Sequence, residues 1–421
     1  MKRLTGACIA FALLSALAPY VALLPGETWG SAIIALHFAL LAASVVATVG
    51  YTPTPKATRW VLGAAAVAYC AAALSPPFTS NDVYRYLWDG HSVLSGVDPW
   101  KTRPLASSIT DWPAPPDNRG IASLYPPGAM AVFALAALAG PSLGLWVWKL
   151  IVLGAALAVV FLVSQQLRGT AQARWLPLVA LCPLLVIEAG VGAHLDVLSA
   201  LSLVLALRAL RRGAFVTAGV FLGTGGLLKL LPLAALLPVA AAFGLRAGSR
   251  AALGALATLA GGYALALGFG LAPLGSLAQF MGQWRFGTPV ALVDRLAGAG
   301  PALLTSAVLF TALCAWSFVR ARRAGAEAGL AFALAAPLVA SPVAFPWYLA
   351  PLAATTATGP TALSLTWVAL APLTYEVVGT YQRSGEFTPA LWPLWVSFAA
   401  LAVAALVDLL GPLRKLEAPN P

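Results

Sequence analysis

The sequence predicts an all-α polytopic membrane protein of about 13–15 transmembrane helices, with an amphipathic interfacial helix in the first long external loop. Three observations carry this prediction. Of 421 residues, 60% are hydrophobic and only 9% charged, against roughly 25% charge in ordinary globular domains, and mean hydropathy is +0.86. The apolar residues fall into separate stretches, at about 4–24, 30–50, 60–75, 143–163, 175–189, 195–208, 214–229, 231–244, 251–271, 301–319, 326–340, 346–358, 361–379 and 391–410. The Lys and Arg residues gather in the short segments between those stretches, so the net charge of +11 speaks for orientation in a bilayer and not for nucleic acid.

Taken in order, Lys2-Arg3 and the apolar run to Leu24 have the shape of a signal peptide, with Ala16-Leu-Ala18 as a cleavage site. The apolar run continues past that site and more stretches follow, so a retained first span is expected. Several later stretches hold only about 13–16 residues, against the ~20 that a crossing needs at 1.5 Å rise. These either borrow loop residues or are discontinuous helices that line a cavity. Segment 128–139 is apolar but short, and charge assigns it to a re-entrant or surface helix. With Lys2 and Arg3 inside, alternating the other stretches places Lys56, Arg59, Arg168, Arg174, Arg208, Arg211, Arg212, Arg246, Arg250, Arg320, Arg322, Arg323, Arg414 and Lys415 inside too. Most acids then fall outside: Glu27, Asp82, Asp89, Asp98, Asp111, Asp117, Glu188, Asp196, Asp294, Glu376 and Glu386. Both termini are therefore expected in the cytoplasm and loop 76–127 outside. The inner loops are too short for a nucleotide-binding domain, and no Gly-rich phosphate loop is present. Chemistry is expected on the outer face.

Cys8, Cys70, Cys182 and Cys314 lie inside apolar runs, read as buried small hydrophobes with no disulfide framework. His37, His91 and His194 are scattered, so no metal site is expected, and no cofactor. The chain divides into an N-terminal catalytic module, 1–250, and a C-terminal transmembrane module, 251–421.

The outer segments hold the candidates. After Pro76-Pro77 stops a span, Ser80 or Asn81 can cap a helix whose one face carries Asp82, Arg85, Asp89 and Ser92, and whose other carries Val83, Tyr84, Leu87, Trp88 and Leu94. Asp82 is either ordinary helix chemistry, an acid in the first turn with Arg85 at i+3, or a reactive carboxylate beside the bilayer. Lys149 near the outer end of its span and Lys229 at the tip of a short hairpin either snorkel or mark a site. Glu188, His194 and Asp196 share one loop, where His194 and Asp196 either simply pair or serve function. The loop 272–300 adds Gln283-Trp-Arg285-Phe, Asp294 and Arg295, and 341–348 adds Ser341-Pro-Val-Ala-Phe-Pro-Trp-Tyr348.

Asn81-Asp-Val-Tyr-Arg-Tyr-Leu-Trp-Asp-Gly90 with Gly96-Val-Asp-Pro-Trp100 resembles the polyprenyl-phosphate-sugar-dependent enzymes of the glycosyltransferase C superfamily. The resemblance is to the bacterial mannosyltransferase-like members of the phosphatidylinositol-mannoside enzyme group. Tyr125-Pro-Pro127, Gly192-Ala-His-Leu-Asp196, Lys229-Leu-Leu-Pro232 and Ser341-Pro…Pro346-Trp-Tyr348 support it, in order over residues 76–350. The resemblance implies a multi-pass protein of the bacterial plasma membrane with its active site facing outward. It also implies a polyprenyl-phosphate sugar donor, mannose in particular, and a lipid or glycan acceptor. Asp82 is then the catalytic residue, with Lys229, His194, Asp196, Arg295, Arg85, Asp89, Tyr125, Glu188, Lys149 and Trp347 as substrate-binding candidates. Two departures stand out: Phe345 where relatives often have His, and Leu195 where they often have Asn. The chemistry fits the residues: phosphate leaves without an acid, so one base and some cations suffice, and one carboxylate implies inversion. A transporter or flippase of a lipid-linked sugar is the rival reading, since it too would use short helices and intramembrane cations.

Overall fold

Apolar residues in unbroken runs leave the backbone no partner but itself, and the regular elements of the computed structural model are accordingly helices among the described residues. It describes residues 1–273, 275–276, 279, 285–377, 381 and 387–411. Gln283, Trp284, Glu386, Arg414 and Lys415, singled out above, lie outside the described residues, as does the side chain of Glu27. Among the described residues there is no strand, only an isolated bridge between Phe286 and Val343.

Among the described residues six helices are long and apolar enough to cross a membrane: Lys2–Val21, Thr28–Gly50, Gly140–Leu167, Leu245–Gly268, Ala299–Ala324 and Trp392–Leu410. A seventh arises if Ala171–Ala180 and Pro183–Val191, bent by 40°, form one span. Pro183 opens the second piece, where its missing N–H interrupts the helical ladder, and that piece ends in a π turn at Ile187–Val191. Other apolar stretches are short helices: Pro127–Ala137, Phe215–Leu228, Leu231–Phe243, Ala326–Ala340 and Ala362–Tyr375. These are the discontinuous pieces that stretches of insufficient length foreshadow.

The helix Asp82–Leu94 forms where the amphipathic pattern places it, but it does not lie half in solvent. Arg85, Asp89 and Ser92 of its polar face are buried along with Val83, Tyr86, Leu87 and Trp88, while Tyr84, assigned to the apolar face, is exposed. The reason is the helix Pro127–Ala137, which packs across it. At Gly90 a Cβ would stand 2.3 Å from the carbonyl carbon and oxygen of Phe133, so only glycine permits this approach. Eleven residues of Pro127–Ala137 rise roughly 16 Å, about half of the ~30 Å hydrocarbon core. Asp89 is satisfied internally: Arg85 Nε donates to it at 2.8 Å, and Ser123 Oγ donates to the same carboxylate at 2.7 Å. The cysteines divide, Cys8 and Cys182 buried but Cys70 exposed on the outer face of its helix, where an apolar run meets lipid as readily as protein.

The helix Gly140–Leu167 gives the molecule two chemically different ends. Near its start Lys149 reaches the carbonyl of Ser75. Seventeen residues on, roughly 25 Å away at 1.5 Å per residue, the Gln166 carbonyl accepts from Arg211, which also holds Glu327 in a forked pair at 2.8 and 2.9 Å.

Candidate active site

The short pieces and the loop helix converge on a cavity of about 480 Å³. Asp82 stands at its edge as the first residue of the loop helix. Its backbone N–H donates to Ser80 Oγ at 3.1 Å, whereas Asn81 turns its amide to Asp117 at 2.7 Å. The pairing with Arg85 that a purely helical role would use is absent, because Arg85 is committed to Asp89 and to the carbonyl of Asn118. Asp82 instead accepts from the Tyr86 hydroxyl at 3.4 Å and faces His194 Nδ1 at 3.8 Å, with 27% of its side chain exposed. Burial pushes its carboxyl up to about 6, against the opposing pull of Lys229 and the hydrogen bond from Ser80.

His194 reaches Asp82 through a tight turn. Ala193 takes the left-handed conformation, φ 49°, and its carbonyl accepts the Trp148 indole N–H at 2.7 Å. A Cβ on Gly192 would come within 2.4 Å of the imidazole. The ring is wholly buried and stacks on Trp347 at 4.0 Å between centroids, with 7° between planes. Phe345 stacks on Trp347 as well, at 4.6 Å and 0°. Phe345 is thus an outer ring of a three-ring pile. Trp347 lines the cavity, but its faces are covered by its two neighbours.

Asp196 opens the helix Asp196–Leu210, and its two carboxylate oxygens take Lys229 Nζ at 2.9 and 2.8 Å. Lys229 follows Phe215–Leu228 in extended backbone, and its ammonium lies 4.1 Å above the Tyr348 ring. Lys229 therefore does not snorkel, nor does Asp196 pair with His194. Glu188, fully buried in the π turn, accepts the Tyr375 hydroxyl and stands 3.5 Å from His194 Nε2.

The structure thus brings Asp82, Glu188, His194, Asp196, Lys229, Tyr125 and Trp347 together. Arg85 lines the cavity while tied to Asp89, which is buried behind it. Lys149 is not on the cavity: its ammonium is buried and caps the carbonyl of Ser75, just past the end of the helix Pro55–Ala73, where a cation suits the helix dipole. Arg295 is not there either, since it donates to the Pro389 carbonyl at 2.7 Å. Tyr86, Tyr348 and Tyr375 are contributors not singled out from sequence. Tyr348 at least closes a Pro-Trp-Tyr triplet, whereas Tyr375 stands alone in an apolar stretch.

A second, mostly apolar cavity of about 360 Å³ adjoins the first and shares Leu124, Tyr125, Lys229 and Tyr348 with it. Leu231, Tyr263, Leu338 and Val343 complete much of its wall.

Comparison with known families yields a match over residues 9–245 to the model described as alpha-(1->6)-mannopyranosyltransferase, N-terminal domain. No curated protein and no solved structure matches. The matched region holds Asp82, Glu188, His194, Asp196 and Lys229, and exceeds half of the 421 residues; the chain belongs to the alpha-(1->6)-mannopyranosyltransferase family.

Proposed function

We propose that this mannosyltransferase takes mannose from a polyprenyl-phosphate donor and transfers it, with Asp82 as base, to a hydroxyl of a lipid or glycan acceptor on the outer face of a bacterial plasma membrane. The observation that carries the reading is that a partly exposed carboxylate, Asp82, and a cation, Lys229, line the wall of one cavity. That wall is shared with an apolar cavity. The first isoprene units suit the apolar side, the phosphate suits the ammonium, and the sugar then extends toward Asp82. Lys229 is held by Asp196 while no substrate is bound, and a lipid phosphate competes for its protons.

The acceptor oxygen attacks the anomeric carbon as the bond to phosphate oxygen breaks, and Asp82 takes the hydroxyl proton. Phosphate leaves as an anion beside Lys229, which stabilises the developing charge. With a single carboxylate on the attacking side the displacement inverts, so an alpha product requires a beta-linked donor. Purified protein given synthetic beta-mannosyl polyprenyl phosphate and a mannoside acceptor is expected to form an alpha-(1->6) linkage. Asp82→Asn, nearly isosteric but unable to take the proton, is expected to abolish transfer while folding normally. Activity of that variant within tenfold of the parent, a barrier change of ~1.4 kcal/mol, would remove Asp82 from the chemistry.

A further inference from the structure

Behind Asp82 the side chains form a row. Tyr375 O–H donates to Glu188 Oε1. Glu188 Oε2 lies 3.5 Å from His194 Nε2, and His194 Nδ1 lies 3.8 Å from Asp82 Oδ2. Glu188 and His194 are wholly buried, and Glu188 Oε2 and both imidazole nitrogens make no hydrogen bond. Buried polar atoms left this way are costly unless they find partners. Glu188 Oε2 faces Nε2, and Asp82 Oδ2 faces Nδ1, of a ring that stacks on Trp347. Closing the two gaps to hydrogen-bond distance, about 3.2 Å or less, joins them into one chain, a tightening common when a substrate fills a site.

The direction of the chain follows from its charges. Among the described residues no Lys or Arg pairs with Glu188. The nearby ammonium, Lys229, is already divided between the two oxygens of Asp196. An ionised Glu188 would put a third carboxylate beside Asp82 and Asp196 with one ammonium among them, on a side chain that is wholly buried. We infer that Glu188 and His194 are positioning residues for the transfer. Glu188 is a neutral carboxylic acid that donates to His194 Nε2, which fixes the tautomer with the proton on Nδ1, and His194 in turn donates to Asp82 Oδ2. Every hydrogen bond of the row then points the same way, from Tyr375 through Glu188 and His194 to Asp82, so each strengthens the next. Oδ2 of Asp82 is held, and Oδ1 is left to take the proton of the acceptor. No proton travels along the row.

This inference rests on Asp82 being the base, and the experiment separates the two. Glu188→Gln, Glu188→Leu and His194→Phe are compared with Asp82→Asn in steady-state transfer of mannose from the synthetic donor. The glutamine amide donates from the place of the acid, so Glu188→Gln is expected to stay within about threefold of the parent, a fraction of one hydrogen bond. Glu188→Leu is expected to lose about ten- to a hundredfold in kcat, the equivalent of one hydrogen bond to a charged group, with the donor KM unchanged. His194→Phe keeps the stack on Trp347 and is expected to lose kcat to the same extent. In it the acid limb of the pH profile moves upward, because Asp82 has lost a donor that favours its ionised form. A merely structural role would lower the amount of folded protein without moving that limb. Should Glu188→Leu fail to fold, the comparison of Glu188→Gln with His194→Phe decides. Glu188→Gln as impaired as His194→Phe would show that Glu188 acts as an anion and overturn the inference. So would an unshifted pH limb in His194→Phe. If Asp82→Asn is inactive while His194→Phe equals the parent, the base stands and only the chain falls. An active Asp82→Asn removes the base itself.

Discussion

Asp82 is placed between two influences of opposite sign, and its behaviour with pH follows from their balance. Burial raises its carboxyl to about 6, and Lys229 is the largest of the influences that hold it from rising further. A base works only when ionised, so kcat/KM is expected to climb with pH through about 6 and to fall roughly tenfold per unit below it. Lys229→Ala removes the cation, so the acid limb is expected to shift to higher pH. The same change takes the ammonium from the wall that the two cavities share, so donor KM is expected to rise strongly. Lys229→Arg keeps the charge and is expected to recover part of both. A pH–rate series with donor titration checks this, and a Lys229→Ala profile identical to the parent in limb and KM would place the phosphate site elsewhere. His194 is not a source of positive charge for the phosphate: burial and the neighbouring Lys229 push its imidazole well below the usual histidine range, so it is neutral.

The loop helix Asp82–Leu94 is the element on which this geometry depends, and it is docked on the helix Pro127–Ala137. Gly90 meets the backbone of Phe133, and Tyr86 stacks on the Phe133 ring at 4.6 Å. Gly90→Ala puts a methyl group against a carbonyl that cannot yield, and the two helices must separate. The expected cost is about 1–3 kcal/mol of stability, together with a fall in kcat, because Asp82 moves with the helix. Thermal melting and transfer rates measured on one preparation check both. Asp89 on the same helix behaves differently. Asp89→Ala strands the buried Arg85 guanidinium, for which about 3–5 kcal/mol of destabilisation is expected, whereas folded protein that survives should turn over close to the parental rate. A collapse of kcat in well-folded Asp89→Ala would move Asp89 into the chemistry.

Across the whole molecule, the acidic cluster around Asp82 and the basic residues around Arg211 sit at opposite ends of the helices Gly140–Leu167 and Asp196–Leu210. With Lys and Arg predominating at one end, the positive-inside rule leads us to expect that end in the cytoplasm and the cavity opening outward. Gly120 in the external loop is exposed with open space around it, and Arg212 is exposed at the basic end. In a background lacking Cys8, Cys70, Cys182 and Cys314, Gly120→Cys is expected to react with a membrane-impermeant maleimide on intact spheroplasts. Arg212→Cys is expected to react only after permeabilisation. The reverse pattern would invert the protein and put its chemistry on the inner face.

Composition and periodicity act along the chain, and what they control was legible in the sequence: the multi-span helical class, the loop helix, and the shortness of 128–139, read as a re-entrant or surface helix. Lys229 and its acid partner were legible in part, since a buried ammonium needs an anion and the outer acids close to it in sequence were Glu188 and Asp196. The choice of Asp196 over Glu188 was decided by packing, which turns Glu188 toward Tyr375 and His194. The tertiary structure alone removed Arg295 from the site and gave Lys149 a carbonyl to cap, because a loop position or a depth in a span does not say which helix lies opposite. It also recruited Tyr86 and Tyr375, whose sequence surroundings are those of any interfacial tyrosine. Residues 82, 188, 194, 229, 347 and 375 meet only after five separate segments pack. Such a meeting depends on side-chain shape between helices, and neither hydropathy nor charge order along the chain encodes that.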